Sequence, residues 1–418
     1  MRPWYRNLDW TIILLWAALV AVGLVAIYSA THGPAREFLL LSVQQNFDRQ
    51  LQWFAISGVV MLAVLFTSAR FIYRAAPWIY AACIALLVAT LAAGTVVNGA
   101  KAWLYLGPIG LQTGEIAKVG TVLMVARFLS SNKAREGKPL YLLLALALLV
   151  FPAGIILMQN DTGTALVFLA LAPVFLFWSG TVPLAWLALL MAPAVAGYLA
   201  IVDVTVAVLF AAVFTVGMLI LSRSKALGAL GALASFGTAI GAWLGLTKVL
   251  QPHQVARIVA FADPEAFRAT AGFHVIQAKA AIGSGGLFGK GFTNGTQTQL
   301  AYIPENSTDF IFCVIGEEFG FVGATVLLVL FGVFLVRLAG LGAASGFAFP
   351  RLFVAGVTGV FLVHILINVG MTVGLVPVIG IPLPLISYGG SALLANTAMV
   401  AVALNLHARR DEFAIYTG

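Results

Sequence analysis

Ser307-Thr308-Asp309-Phe310-Ile311-Phe312-Cys313-Val314-Ile315 is the junction at which a long polar segment gives way to an apolar run. The polar segment begins near His253 and holds Arg257, Asp263, Glu265, Arg268, Lys279, Lys290 and Glu305. It is rich in glycine, as in Gly283-Ser284-Gly285-Gly286 and Gly289-Lys290-Gly291, so its backbone can turn tightly and approach a ligand closely. Long ordered loops are usually functional. Asp309 stands where water would meet hydrocarbon, and a carboxylate in that position needs a reason.

Working outward from this junction, the chain is apolar almost throughout. It has 418 residues, of which 61% are hydrophobic and 9% charged, with a mean hydropathy of +1.02. Such values lie outside the soluble globular range and indicate a polytopic membrane protein. Cys83 and Cys313 both lie in apolar runs, which gives no indication of a disulfide framework. The net charge of +8 is spread over many short loops. That is the pattern of membrane orientation and not of a nucleic-acid surface.

A span needs about 20 apolar residues, and twelve candidates follow: 11–29, 52–68, 77–96, 112–130, 139–158, 162–178, 181–202, 204–222, 226–249, 309–337, 351–373 and 384–406. The first reads as a membrane helix and not as a cleaved signal, since no small-residue cleavage site follows it. Placing the N-terminus in the cytoplasm puts most Lys and Arg inside and leaves the outer loops little more than Arg36, Arg49 and Lys101. The loop 250–308 then faces outward. The expected architecture is one all-α integral membrane domain over 1–418, with both termini cytoplasmic and no soluble domain at either end.

Three polar groups fall at membrane depth near the outer side. Glu115 and Lys118 are three residues apart and share a helix face, as a site or as a buried pair that only locks helices together. Asp161 either serves a ligand or caps the helix that follows. Asp309 is a functional acid or a first-turn acid favoured by the helix dipole, with Glu317 and Glu318 farther along. Lys118, Arg257, Lys279 and Lys290 are suited to phosphates, although Lys290 between glycines can equally be solvated. Ser387, in Ser387-Tyr388-Gly389-Gly390-Ser391, lines the cavity or permits tight packing, and Asn368 is expected to make an interhelical hydrogen bond. A cavity of acids and cations on one side suits a ligand that is partly lipid and partly anionic.

The residues that carry a family resemblance are Trp103-Leu104-Tyr105-Leu106-Gly107-Pro108 leading into Gln112 to Lys118, Asp161-Thr162-Gly163-Thr164, Ala281 to Gly291, Gly295 to Leu300, Thr308 to Phe312 with Glu317-Glu318, Asn368-Val369-Gly370-Met371, and Pro382 to Ser391. The chain resembles the SEDS family (shape, elongation, division and sporulation), its RodA branch more than its FtsW branch. The resemblance implies a peptidoglycan glycosyltransferase that polymerises lipid II on the outer face of the bacterial cytoplasmic membrane for elongation and rod shape. It also implies a class B penicillin-binding protein as partner, and Asp309 as the catalytic carboxylate. Glu115, Lys118, Asp161, Arg257, Lys290 and Ser387 are the expected substrate-binding residues. Lys118, the loop cations or a divalent cation such as Mg or Mn are candidates for neutralising the diphosphate. The family typically has ten membrane helices, so 165–250 is expected to hold two extra. The family usually has Gln-Pro-Ser-Glu where this chain has Gln112-Thr113-Gly114-Glu115, Pro-Asp-Leu-Gly where it has Asn160-Asp161-Thr162-Gly163, and a histidine at Ser307. A flippase for the same lipid is the rival reading, disfavoured because the polar groups gather at one depth. A purely structural scaffold leaves the buried charges unexplained.

Overall fold

In the computed structural model the chain is described at all residues except 1–3, 108, 132–138, 181–183, 223–224, 245–260, 262–271, 301–302, 304, 411 and 413–418. It divides into two compact units: one comprises Met1–Trp178, Gln277–Leu375 and Ile379–Gly418, the other Ser179–Ile276 and Val376–Val378.

The first unit is a helical bundle. It contains α1 (Trp10–His32), α2 (Asn46–Phe66), α3 (Ala69–Ala93), α4 (Thr113–Leu129), α5 (Pro139–Met158) and α6 (Thr162–Ser179). The second unit holds α7 (Leu184–Val202), α8 (Val204–Ser222) and α9 (Lys225–Leu244), and α10 (Gly272–Ser284) leads back into the first. There follow α11 (Ile311–Glu318), α12 (Gly320–Ala343), α13 (Ala348–Val373) and α14 (Gly390–Ala408). Among the described residues eight helices are long and apolar enough to cross a membrane: α1, α2, α3, α5, α6, α12, α13 and α14. The other four sequence spans fall on α4, which has 17 residues and carries Glu115, Lys118 and Arg127, and on α7, α8 and α9, whose apolar stretches are shorter. Helices are the answer to a solvent with no hydrogen bonds to offer, because every backbone group within a span is satisfied internally.

Two sequence expectations need correction. The span 309–337 is not continuous: α11 stops at Glu318, and α12 starts afresh at Gly320, whose φ of +67° breaks the helix. The stretch between α3 and α4 is a three-stranded antiparallel sheet, β1 (Thr95–Val97), β2 (Ala100–Leu106) and β3 (Ile109–Gln112), in the order β1-β2-β3. Asn98 and Gly99 make its first turn with φ of +50° and +83°, the handedness a two-residue hairpin requires.

α13 and α14 are the most enclosed of the eight long helices. Phe353, Phe361, Met399, Val400 and Leu404 are fully buried in the main core, together with Ile12, Leu19 and Ile27 of α1. This rigid centre carries the segments described next.

Candidate active site

Asp309 lies in a tight turn two residues before α11 begins, so it is not a first-turn acid of that helix. The amides of Thr308 and Phe310 both donate to the carbonyl of Glu305, at 3.1 Å each. The Thr308 hydroxyl donates to the Glu305 carboxylate at 2.8 Å. Glu305 has a φ of +55°, a conformation uncommon for a side-chain-bearing residue and concentrated at functional sites.

Asp309 is half-buried, and its backbone is fixed from α13: the Asn368 side-chain amide donates to the Asp309 carbonyl at 2.9 Å and to the Ile381 carbonyl at 2.7 Å. The Asn368 bond is thus helix to loop, where the sequence suggested helix to helix. The carboxylate lies over Gly380. A Cβ at that glycine would stand 3.3 Å from Asp309 Oδ2, and Gly380 has a φ of +75°, so both space and conformation favour glycine there.

The segment 381–391 is stitched to the same turn. The Ser387 hydroxyl donates to the Thr308 carbonyl at 2.6 Å and accepts from the Leu383 amide at 2.8 Å. Ser387 therefore serves as a clamp on the chain beside Asp309. The Tyr388 amide donates to the Ser307 carbonyl at 2.9 Å, and Asn46 Nδ2 to the Ser307 hydroxyl at 3.1 Å. Gln50 bridges Ser387 and Gly389 through its two amide atoms. Leu385, with a φ of +67°, is a second strained non-glycine residue in this frame.

Asp161 caps α6: its carboxylate accepts from the Thr164 amide at 3.0 Å and the Thr164 hydroxyl at 2.9 Å. It also accepts from Gln112 Nε2 at 3.0 Å, while the Gln112 amide donates to Ser391 at 3.0 Å. The starts of α4, α6 and α14 are thereby linked. The Glu115–Lys118 pair forms as the spacing suggested: both carboxylate oxygens lie 2.8 Å from Nζ, and both side chains are buried. Lys118 also meets His364 Nε2 at 2.7 Å. The ammonium is wholly enclosed, so in this conformation it is not open to solvent.

The glycine-rich loop closes on the chain itself. The Lys290 and Gly291 amides donate to the carbonyls of Glu317 and Glu318 at the end of α11, and the Phe321 and Val322 amides at the start of α12 donate to Gly286 and Leu287. The loop satisfies the orphan groups of a broken helix. Lys290 Nζ lies 2.7 Å from Glu317 Oε1, Ser284 Oγ and Thr296 Oγ1, so it is an ion-pair member and not a solvated cation. Burial works against the Glu317 charge, yet the Gln297 amide, the Lys290 ammonium and Thr298 hold its pKa down at about 2. Burial raises that of neighbouring Glu318 against hydrogen bonds from Ser29 and Gln299.

Arg257 lies outside the described residues, and Lys279 is exposed on α10. Among the described residues no group of three or more His, Cys, Asp or Glu side chains is placed to hold a metal ion. Two clefts, of about 290 Å³ beside Leu15 and Val329 and about 400 Å³ beside Tyr80 and Phe151, are lined almost wholly by apolar side chains and by none of these residues. Sequence reasoning missed His364 and Gln50, whose partners are distant in the chain. It named Glu317 without foreseeing its role as the hub of the loop.

A family model described as cell cycle protein, FtsW/RodA/SpoVE, matches residues 9–207 and 184–412. The chain is 34% identical to the peptidoglycan glycosyltransferase RodA of Treponema pallidum, covering 95% of this chain and 96% of that one. It is 34% identical to the peptidoglycan glycosyltransferase MrdB of Escherichia coli K12, covering 97% and 94%. Among solved structures it is similar to a chain of a peptidoglycan synthase complex described as coordinating polymerization and crosslinking, with a TM-score of 0.72, 28% identity and coverage of 96% and 98%. It is also similar to the rod shape determining protein RodA of Thermus thermophilus, with a TM-score of 0.62, 28% identity and coverage of 96% and 97%. Matched by the family model over nearly its whole length and 34% identical to the RodA and MrdB relatives almost from end to end, the chain belongs to the FtsW/RodA/SpoVE family, also called SEDS.

Proposed function

We propose that the protein is a RodA-type peptidoglycan glycosyltransferase, that it polymerises lipid II at the outer face of the cytoplasmic membrane, and that Asp309 is its catalytic base. The observation that carries this is the setting of Asp309: a half-buried carboxylate over a bare glycine, on a backbone fixed by Asn368, Ser387 and Tyr388. Such fixing is what general-base catalysis needs, since geometry precedes pKa.

In the reaction the 4-hydroxyl oxygen of the acceptor sugar attacks the anomeric carbon of the donor. The bond from that carbon to the lipid diphosphate breaks with inversion, and the hydroxyl proton passes to Asp309. The diphosphate leaves as an anion and needs charge neutralisation more than protonation. Arg257 and Lys279 are the loop cations proposed for it. Lys118 acts from behind, its positive charge balanced by Glu115. Asp161, Ser387 and Lys290 hold the walls of the site through the Gln112, Thr308 and Glu317 bonds. A divalent ion accompanying the diphosphate would share in the neutralisation.

The site groups sit at the starts of α2, α4, α6, α11 and α14, which favours one wet end of the bundle. With the positive-inside rule that end is outward and both termini are cytoplasmic. A class B penicillin-binding protein is the proposed partner, on the strength of the similarity to a complex that couples polymerization to crosslinking. The test is incubation of purified protein with lipid II in detergent, with and without the cognate transpeptidase. Glycan strands are the expected product. No strands under either condition, with Mg²⁺ or Mn²⁺ supplied, overturns the reading in favour of a flippase.

A further inference from the structure

The buried ion pair on α4 has a third member. His364 of α13 is 2% exposed, and its Nε2 lies 2.7 Å from Lys118 Nζ. Lys118 sits between the two oxygens of Glu115 as an ammonium, which has only hydrogens to offer. Nε2 is therefore the acceptor, and the ring proton resides on Nδ1. The other side of the ring agrees: Nδ1 lies 3.2 Å from the Pro382 carbonyl, which can only accept. Two contacts from opposite sides assign the same neutral tautomer.

One turn farther along α13, on the same face, Asn368 grips the carbonyls of Ile381 and Asp309. The helix thus holds two consecutive carbonyls, 381 and 382, and through Asn368 the catalytic turn as well. Pro382 and Pro384 have no N–H with which to anchor this segment, so donors must come from side chains. Gly380, immediately before it, is the floor on which the Asp309 carboxylate rests.

We propose that His364 is a positioning residue for polymerisation: as the Nδ1–H tautomer it takes a hydrogen bond from Lys118 and gives one to Pro382, tying the Glu115–Lys118 pair to the segment under Asp309. The proposal rests on Asp309 being the base. His364 itself is enclosed and touches no substrate. Its effect is on where the floor of the site stands and on how rigidly the ammonium charge is held relative to it.

Asparagine and glutamine separate the two bonds. Asparagine places an amide N–H near the Nδ1 position and keeps the bond to Pro382. Glutamine places its amide oxygen near Nε2, keeping an acceptor for Lys118 and losing the donor to Pro382. The experiment measures kcat, KM for lipid II and melting temperature for full-length His364→Ala, His364→Asn and His364→Gln, with Asp309→Asn alongside. Expected are a kcat lowered about tenfold or more in the Ala and Gln proteins with KM little changed, as displacement of a reacting group requires, and restoration to near wild type by Asn. A purely structural role would lower the melting temperature of all three while kcat per folded molecule stayed at wild type, and that result overturns the proposal. Equal kcat in the Asn and Gln proteins overturns it too. An Asp309→Asn protein of wild-type kcat would bring down the Asp309 assignment and this proposal with it. Active Ala and Gln variants beside an inactive Asp309→Asn protein bring down the proposal alone.

Discussion

Asn368→Ala removes a side chain of α13 that joins the Asp309 turn to the proline-rich segment. Asn368 is fully buried, and its amide nitrogen makes two hydrogen bonds, 2.9 Å to the Asp309 carbonyl and 2.7 Å to the Ile381 carbonyl. Hydrogen bonds at membrane depth contribute about 0.6 to 1 kcal/mol each in net terms, which sets a floor of about 1 to 2 kcal/mol for the pair. Water has poor access to the freed carbonyls, and leaving a buried polar group unpaired costs about 1 to 3 kcal/mol. About 2 to 4 kcal/mol of destabilisation is therefore expected, with part of it expressed locally because Ser387 and Tyr388 still hold residues 307 and 308. The catalytic consequence is of similar size: a carboxylate free to move by about 1 Å loses on the order of a hundredfold in rate, about 2.7 kcal/mol. Asn368→Asp should be worse than alanine, because it faces a carboxylate oxygen toward two carbonyl oxygens. The assay pairs detergent-solubilised melting with strand formation from lipid II per folded molecule. Wild-type melting and wild-type rate in Asn368→Ala would refute the account of how Asp309 is held.

Gly380→Ala combines a left-handed φ of +75° with a Cβ 3.3 Å from Asp309 Oδ2, so backbone strain of about 1 to 2 kcal/mol and a displaced carboxylate should lower kcat. An alanine variant with unchanged kinetics would contradict the placement. Asp161→Ala removes the cap bond to the Thr164 amide and should cost about 1 kcal/mol, measurable as a lower melting temperature that Asp161→Asn partly restores. Glu317 has a folded pKa of about 2 against an ordinary 4.5. A depressed carboxyl stabilises the fold above about pH 4.5 and loses that contribution as the pH falls toward 2. Acid titration of melting temperature should therefore show a loss in that window that is smaller in Glu317→Gln. It should also be smaller, and complete at a higher pH, in Lys290→Met, where the paired ammonium is gone and the folded pKa rises toward the ordinary value.

Most of the bundle was legible because hydrocarbon imposes long apolar runs: among the described residues eleven of the twelve runs fall on one helix each, and 309–337 falls on two. The break at Phe319–Gly320 was not, because residues 310–337 are apolar on both sides of Glu317-Glu318 and composition does not report a change of direction. Its signal was Gly320 together with two adjacent acids that needed partners. The sheet 95–112 was hidden by its short strands beside strong helical runs, although Asn98-Gly99 is a hairpin turn in plain sight. At the site, the Glu115–Lys118 pair follows from helical spacing, and Asp161 as a cap from its place before Thr162. Contacts across more than 200 residues, such as Lys118 with His364 or Asn46 with Ser307, leave no local trace. His364 looked like any lone histidine in an apolar run. The glycines of the loop signal a backbone able to turn tightly and approach a ligand, and in the structure that freedom serves the capping of α11 and α12.

The most direct measurement is strand formation from lipid II by wild-type and Asp309→Asn protein, each with the cognate transpeptidase and matched for folded fraction by melting. Asparagine keeps the shape of the turn and the Asn368 bond to its backbone while removing the proton acceptor. Polymer from the wild type and none from the variant, at equal melting temperature, is the expected result. Equal polymer yields from both would contradict the assignment of Asp309 as the base.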